Sequence, residues 1–258
     1  MPAAASLAIM VACGPACLRD EPPASSGAQI PRTADGRPDL SGIWQALTTA
    51  SWDLEDHSAE EGVPPGQSVV EGGAIPYQDW ALAKRNENRA DREALDPLLQ
   101  CYLPGVPRVT YLPFPFEIVQ TPEHIGFFYE YGHTTRMVFL DGSPKPEALE
   151  FWMGDSHGRW EGDTLVVDVT LFTDRTWFDR AGNFHSTALH VVERYSYLTH
   201  NHLRYEATIE DPNVFTEPWT ISLPLYRRLE TNVELLDYEC LEFIVPSPTL
   251  EQYRELAR

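Results

Sequence analysis

Alternation of apolar and polar residues, with a period of two, organises most of the chain from Phe116 to Leu225. Segments 116–120, 125–131, 136–140, 164–170, 189–197, 203–209 and 219–225, with 235–240 last, are rich in Val, Ile, Phe, Tyr and Thr. That pattern predicts half-buried strands. Turn chemistry separates them: Thr121-Pro122-Glu123, Asp141-Gly142, Glu161-Gly162-Asp163 and Thr199-His200-Asn201. Sequential strands with short links predict an antiparallel meander, and a long meander hides its edges by curling into a barrel.

Upstream the pattern changes. Residues 31–46 make a turn-rich approach to a short strand, and 47–75 carry Gly, Pro and acidic residues without periodicity, as in a long loop. Residues 77–95, rich in Ala, Glu, Lys, Arg and Asn, predict a helix that Pro97 ends. A second short helix is expected at 250–257, packed outside the barrel. The expected organisation is an export leader and flexible linker over 1–30, then a single mainly-β domain over 31–258 with a loop and helix insertion at about 47–100.

The leader reading rests on the small-residue apolar run from Ala3 to Cys13, too short to span a bilayer, which takes about 20 residues. Plain secretion and lipid anchoring at Cys13, in Met10-Val11-Ala12-Cys13, are the two forms of export it allows. Cys13 and Cys17 belong to the leader, so Cys101 and Cys240 remain to form either one disulfide or two buried thiols. Export favours the disulfide. Charge narrows the partners: 39 acidic against 19 basic residues, a net of −20, argue against nucleic acid and anionic membrane.

Ser41-Gly42-Ile43-Trp44 resembles the Gly-X-Trp that opens lipocalin-type barrels, where the Trp plugs the closed end. This resemblance implies a lipocalin-like barrel rather than an immunoglobulin-like sandwich. Four longer segments resemble a family of uncharacterised exported bacterial proteins: Asp35-Gly36-Arg37-Pro38-Asp39-Leu40-Ser41-Gly42-Ile43-Trp44, Gly158-Arg159-Trp160-Glu161-Gly162-Asp163-Thr164-Leu165-Val166-Val167, His185-Ser186-Thr187-Ala188-Leu189-His190-Val191-Val192-Glu193-Arg194, and Ile209-Glu210-Asp211-Pro212 running to Pro218-Trp219. The resemblance implies export but no activity. The chain departs from the family pattern at Asp141-Gly142-Ser143, where members carry Asp-Gly-Arg, and at Cys240-Leu241-Glu242-Phe243, where they carry Cys-Asn-Glu-Asn.

Candidate chemistry is densest between Trp177 and Arg194. His185 is the expected general base or acid, with Asp179 as its orienting partner and Arg136 or Arg194 stabilising negative charge. The bland alternative has Asp179 capping a turn and His185 bonding backbone. Along 189–197, Leu189, Val191, Glu193 and Tyr195 share one face, and His190, Val192 and Arg194 the other, so either inward choice buries an ionisable group. An inward carboxylate such as Glu193 beside Arg136 or Arg194 would bind a polar head group, while charges such as Glu130 and Glu206 are expected to face solvent.

Tyr129, Tyr131, Trp152, Trp177 and His190 are the expected contacts for a small apolar or aromatic molecule. No metal is expected despite eight histidines, because none has a zinc-site spacing. No cofactor is expected either, for want of a glycine-rich loop, and Ser186 beside His185 lacks the Gly-X-Ser-X-Gly elbow of a nucleophile. The first functional reading is a cofactor-independent lyase, isomerase, hydratase or cyclase. A lipocalin-like carrier is the second, and an envelope interaction module the third.

Overall fold

A computed structural model describes residues 30–143 and 149–240. Residues 1–29 of the expected leader, Cys13 and the helix expected at 250–257 lie outside the described residues. Nine strands close into one barrel in chain order: β1 (Gly42–Ala46), β2 (Phe116–Gln120), β3 (His124–Tyr129), β4 (Thr135–Phe139), β5 (Asp155–Glu161), β6 (Thr164–Thr170), β7 (His190–Thr199), β8 (His202–Glu210) and β9 (Trp219–Arg227). β9 pairs back onto β1, so no edge is left open. The fold is mainly β and lipocalin-like. No helix among the described residues is long and apolar enough to cross a membrane.

Three features depart from the expected meander. β4 and β5 pair in parallel, Val138 opposite Ser156 and Phe139 opposite His157, because the chain crosses over between them instead of turning back. β5 itself has a weak alternating apolar signal: of its inward positions Ser156 and Gly158 are small and only Trp160 is a large apolar residue. A Cβ on Gly158 would sit 2.7 Å from both Val138 and Leu140, so only glycine lets these side chains pass. Finally, residues 235–240 form no strand. They run as a strap tied by one parallel bridge, Tyr131 to Tyr238.

The opening tryptophan fills one end of the barrel. Trp44 is fully buried, donates Nε1–H to the Leu40 carbonyl at 2.8 Å, and lies 4.2 Å beneath the Arg227 guanidinium. Gly42 makes this possible: its φ is +128°, and a Cβ there would meet Arg227 Nη1 at 2.3 Å. Inward faces of the remaining strands supply Phe116, Ile118, Ile125, Phe127, Val167, Val191, Leu203, Tyr205, Ile221 and Leu225, all buried. The interior is therefore packed with side chains, as in small barrels generally.

Outside the barrel, the predicted helix divides into α1 (Asp79–Ala90) and α2 (Arg92–Leu95), and Pro97 opens a 3₁₀ turn over Pro97–Gln100. A second 3₁₀ turn, Arg108–Tyr111, sits over the barrel mouth. Cys101 and Cys240 are joined by a disulfide across 139 residues of sequence. It ties the strap to the first 3₁₀ turn.

Candidate functional site

The strand reading of β7 resolves the choice of faces. Glu193 points inward with Leu189, Val191 and Tyr195, while His190 and Arg194 face outward. His190 lies 3.0 Å from Asp168 and Arg194 3.0 Å from Glu161, both on the outer surface. Arg136 on β4 also points inward and forms an ion pair with Glu193, with both side chains almost wholly buried. Arg136 Nε donates to Ser156 Oγ at 2.9 Å, and the hydroxyls of Tyr195 and Tyr205 donate to Glu193 Oε1 at 3.1 and 2.8 Å.

Burial alone would lower the Arg136 pKa, but the Glu193 charge outweighs it and holds the guanidinium firmly protonated. Tyr129, beside them, is pushed up to about 12, first by burial. Glu193 does stand inward beside Arg136, the arrangement expected to hold a polar head group, but the two neutralise each other. This centre is an internal ion pair in a filled barrel. Glu130 is a further correction, since it is buried and accepts the Leu236 amide at 2.8 Å.

His185 and Asp179 are both buried, but the structure gives each of them other partners. His185 Nδ1 lies 3.0 Å from the Ser186 carbonyl and so carries the proton; Nε2 then accepts from Thr176 Oγ1 at 2.7 Å. The lone pair that a general base would use is already engaged. Asp179 accepts the Leu54 amide at 2.9 Å, the Asn183 amide at 3.2 Å and the Asn183 side-chain amide. Asn183 in turn accepts from Tyr77 at 2.9 Å and from Arg85 at 3.1 Å. Asp179 thus knots the 47–56 loop, the 177–184 hairpin and α1 together. Ser186 is equally occupied, donating its hydroxyl to Asp211 at 2.9 Å.

Burial and the neighbouring Asp53 charge push the Asp179 carboxyl up to about 7, from an ordinary value of 3.8. With the folded value above the unfolded one, the folded state takes up this proton first as pH falls. Asp179 therefore lowers stability progressively as pH rises from about 4 to about 7, and its effect is constant above. Burial acts oppositely on His185, which is held below its ordinary 6.5 and costs stability as pH falls beneath that value. Urea midpoints measured at pH 5 and pH 8 should drop less in Asp179→Asn than in the native chain. An equal or larger drop in the variant rules out a raised Asp179 pKa.

An open, mostly apolar cleft lies elsewhere, at the barrel mouth. A cleft of about 200 Å³ runs between the 3₁₀ turns, the start of β2, the end of β3 and the C-terminal strap. Leu98, Leu99, Leu112 and Pro113 give it apolar walls. Phe114, Tyr131 and Tyr238 face one another there, with ring centroids 4.7 to 5.6 Å apart. Tyr131 is pushed up to about 12, chiefly by burial. At the base, Arg108 makes a two-pronged ion pair with Asp96 at 2.8 and 2.9 Å. Arg180 closes the far side, stacked 4.9 Å from the Trp52 ring.

Of the expected contact residues, only Tyr131 lines this cleft. Tyr129 is inside the barrel, Trp152 packs on Tyr102 at 4.9 Å, and Trp177 bridges to Phe184 in the hairpin. Asp96, Arg108, Arg180 and Trp52 escape the sequence reading because they sit on turns and loops without periodicity, and Tyr238 because its segment reads as one more strand. Among the described residues, no three His, Cys, Asp or Glu side chains gather as metal ligands. Comparison with family models, curated proteins and solved structures finds no match to this chain.

Proposed function

We propose that this protein binds a small apolar or aromatic molecule in the cleft at the barrel mouth, without transforming it. The carrying observation is the pairing of a packed barrel interior with an open, apolar-walled cleft of about 200 Å³. A concave apolar site with a few fixed polar groups is the usual form of a small-molecule site. Export is part of this proposal, and the disulfide supports it, since such bonds persist in oxidising compartments.

Proton-transfer catalysis is the second reading. It is favoured by Asp179, buried and raised to about 7, next in sequence to Arg180 of the cleft wall. It ranks below binding because the Asp179 oxygens and His185 Nε2 are already hydrogen-bonded.

Fluorescence titration with N-phenyl-1-naphthylamine, a neutral probe that brightens in apolar surroundings, tests the binding role. Saturable binding is expected, and Leu99→Trp, which fills the cleft, should weaken it by at least about tenfold, or 1.4 kcal/mol. Undiminished binding in Leu99→Trp would place the probe somewhere else.

A further inference from the structure

The cleft holds buried hydrogen-bond donors that a purely apolar ligand would leave unused. Asp96 at its base is fully engaged: Oδ1 accepts from Arg108 Nη1 and the Leu98 amide, and Oδ2 from Arg108 Nη2. Arg108 thereby commits two nitrogens to Asp96 and keeps its Nε–H buried without a partner. Arg180, across the cleft, donates Nη2 to Glu93 on the solvent side, and its Nε–H is likewise buried without a partner. Among the described residues that line the cleft, the buried unpartnered side-chain polar atoms are these two guanidinium donors, and neither is an acceptor.

A buried charged donor left unpaired is costly, and the group that best answers a guanidinium is an anionic oxygen. The two arginines differ in how freely they can turn to one. Arg108 and Asp96 are 3 % and 2 % exposed and hold each other in place. Arg180 is 23 % exposed, and its partner Glu93 is 70 % exposed, an ion pair that solvent screens. A ligand anion reaching Arg180 from inside the cleft competes with a weakly held partner.

Resting on the reading of the cleft as a ligand site, we infer that the natural ligand carries a carboxylate or similar anionic acceptor. That group sits against Arg180 and Arg108, and its apolar or aromatic body lies against Phe114, Tyr131 and Tyr238. The ligand class is therefore a hydrophobic organic acid rather than a hydrocarbon or a neutral terpenoid.

Two probes with one ring skeleton separate these possibilities: N-phenyl-1-naphthylamine, which is neutral, and 8-anilinonaphthalene-1-sulfonate, which adds an anion. Titrated against the full chain, the sulfonate should bind at least about tenfold more tightly. Arg180→Gln should remove most of that preference, Arg180→Lys should restore part of it, and Glu93→Gln, which releases Arg180, should increase it. Equal affinity for the two probes, or a preference indifferent to Arg180 and Glu93, overturns the acid assignment and leaves the apolar site standing. Failure of both probes to bind overturns the site itself.

Discussion

Replacing Glu193 with alanine is expected to destabilise the fold by about 3–5 kcal/mol in urea denaturation, among the largest effects of any single substitution. The Arg136 guanidinium would remain inside the barrel with its opposing charge removed, since it is only 2 % exposed. Tyr195 and Tyr205 would lose the oxygen they share as acceptor, and both are fully buried, so water does not replace it. The asymmetry between removing one partner and removing both gives the sharper test. Arg136→Met combined with Glu193→Leu deletes both buried charges and fills similar volume, so it should recover most of the loss. Tyr205→Phe removes a single hydrogen bond and should cost about 1 kcal/mol. A Glu193→Ala variant within about 0.5 kcal/mol of the native chain would mean that the ion pair does not exist.

Breaking the disulfide should have a comparable effect on stability and a second effect on the cleft. Cys101 and Cys240 close a loop of 139 residues, for which chain entropy gives about 4–5 kcal/mol. Residues 229–240 contain no buried residue, so little else holds the strap. Besides the Tyr131–Tyr238 bridge, its ties include the Tyr238 ring contacts with Phe114 and Tyr131, the Leu236 amide to Glu130, and exposed contacts of His133 with Asp237 and Glu239. Part of the entropic loss is therefore returned when the strap moves freely in the folded state. The Cys101→Ser, Cys240→Ser chain should lose about 3–5 kcal/mol by urea denaturation. Tyr238 and Cys240 form one wall of the cleft, so the same variant should bind N-phenyl-1-naphthylamine at least about tenfold more weakly. Unchanged stability and unchanged binding would show that the strap is held without its covalent tie.

The barrel was readable because its strands obey one rule along their length. β6 matches its expected bounds, Thr164–Thr170, since alternation and the Glu161-Gly162-Asp163 turn act together there. The same rule hides β5, where crowding by Val138 and Leu140 keeps Gly158 bare and Ser156 bonds Arg136, so Trp160 is left as the one large apolar residue of its inward face. Leu235 to Cys240 shows the reverse failure. Its apolar and aromatic residues look like a strand, but β9 has already closed the barrel on β1, and the segment is left to cover the mouth.

Site chemistry was readable only in part. Period-two reasoning identified Glu193 and Arg136 as candidates for an inward charge, and the closed barrel brings them together from strands 57 residues apart. Proximity in sequence misled at His185 and Asp179, where a tight hairpin turns each side chain to different neighbours. Of the cleft, only Tyr131 was legible. Its parts come from the 47–56 loop, the 96–114 segment, the hairpin and the strap, and only the fold assembles them.

Ligand is expected in the cleft at the barrel mouth and not inside the barrel. A crystal structure of the chain grown with N-phenyl-1-naphthylamine tests it most directly. Density for the probe is expected between Phe114, Tyr131 and Tyr238, with the Arg136–Glu193 pair undisturbed beneath. Probe density within the barrel, with Glu193 and Tyr195 displaced to admit it, would return the binding site to the interior.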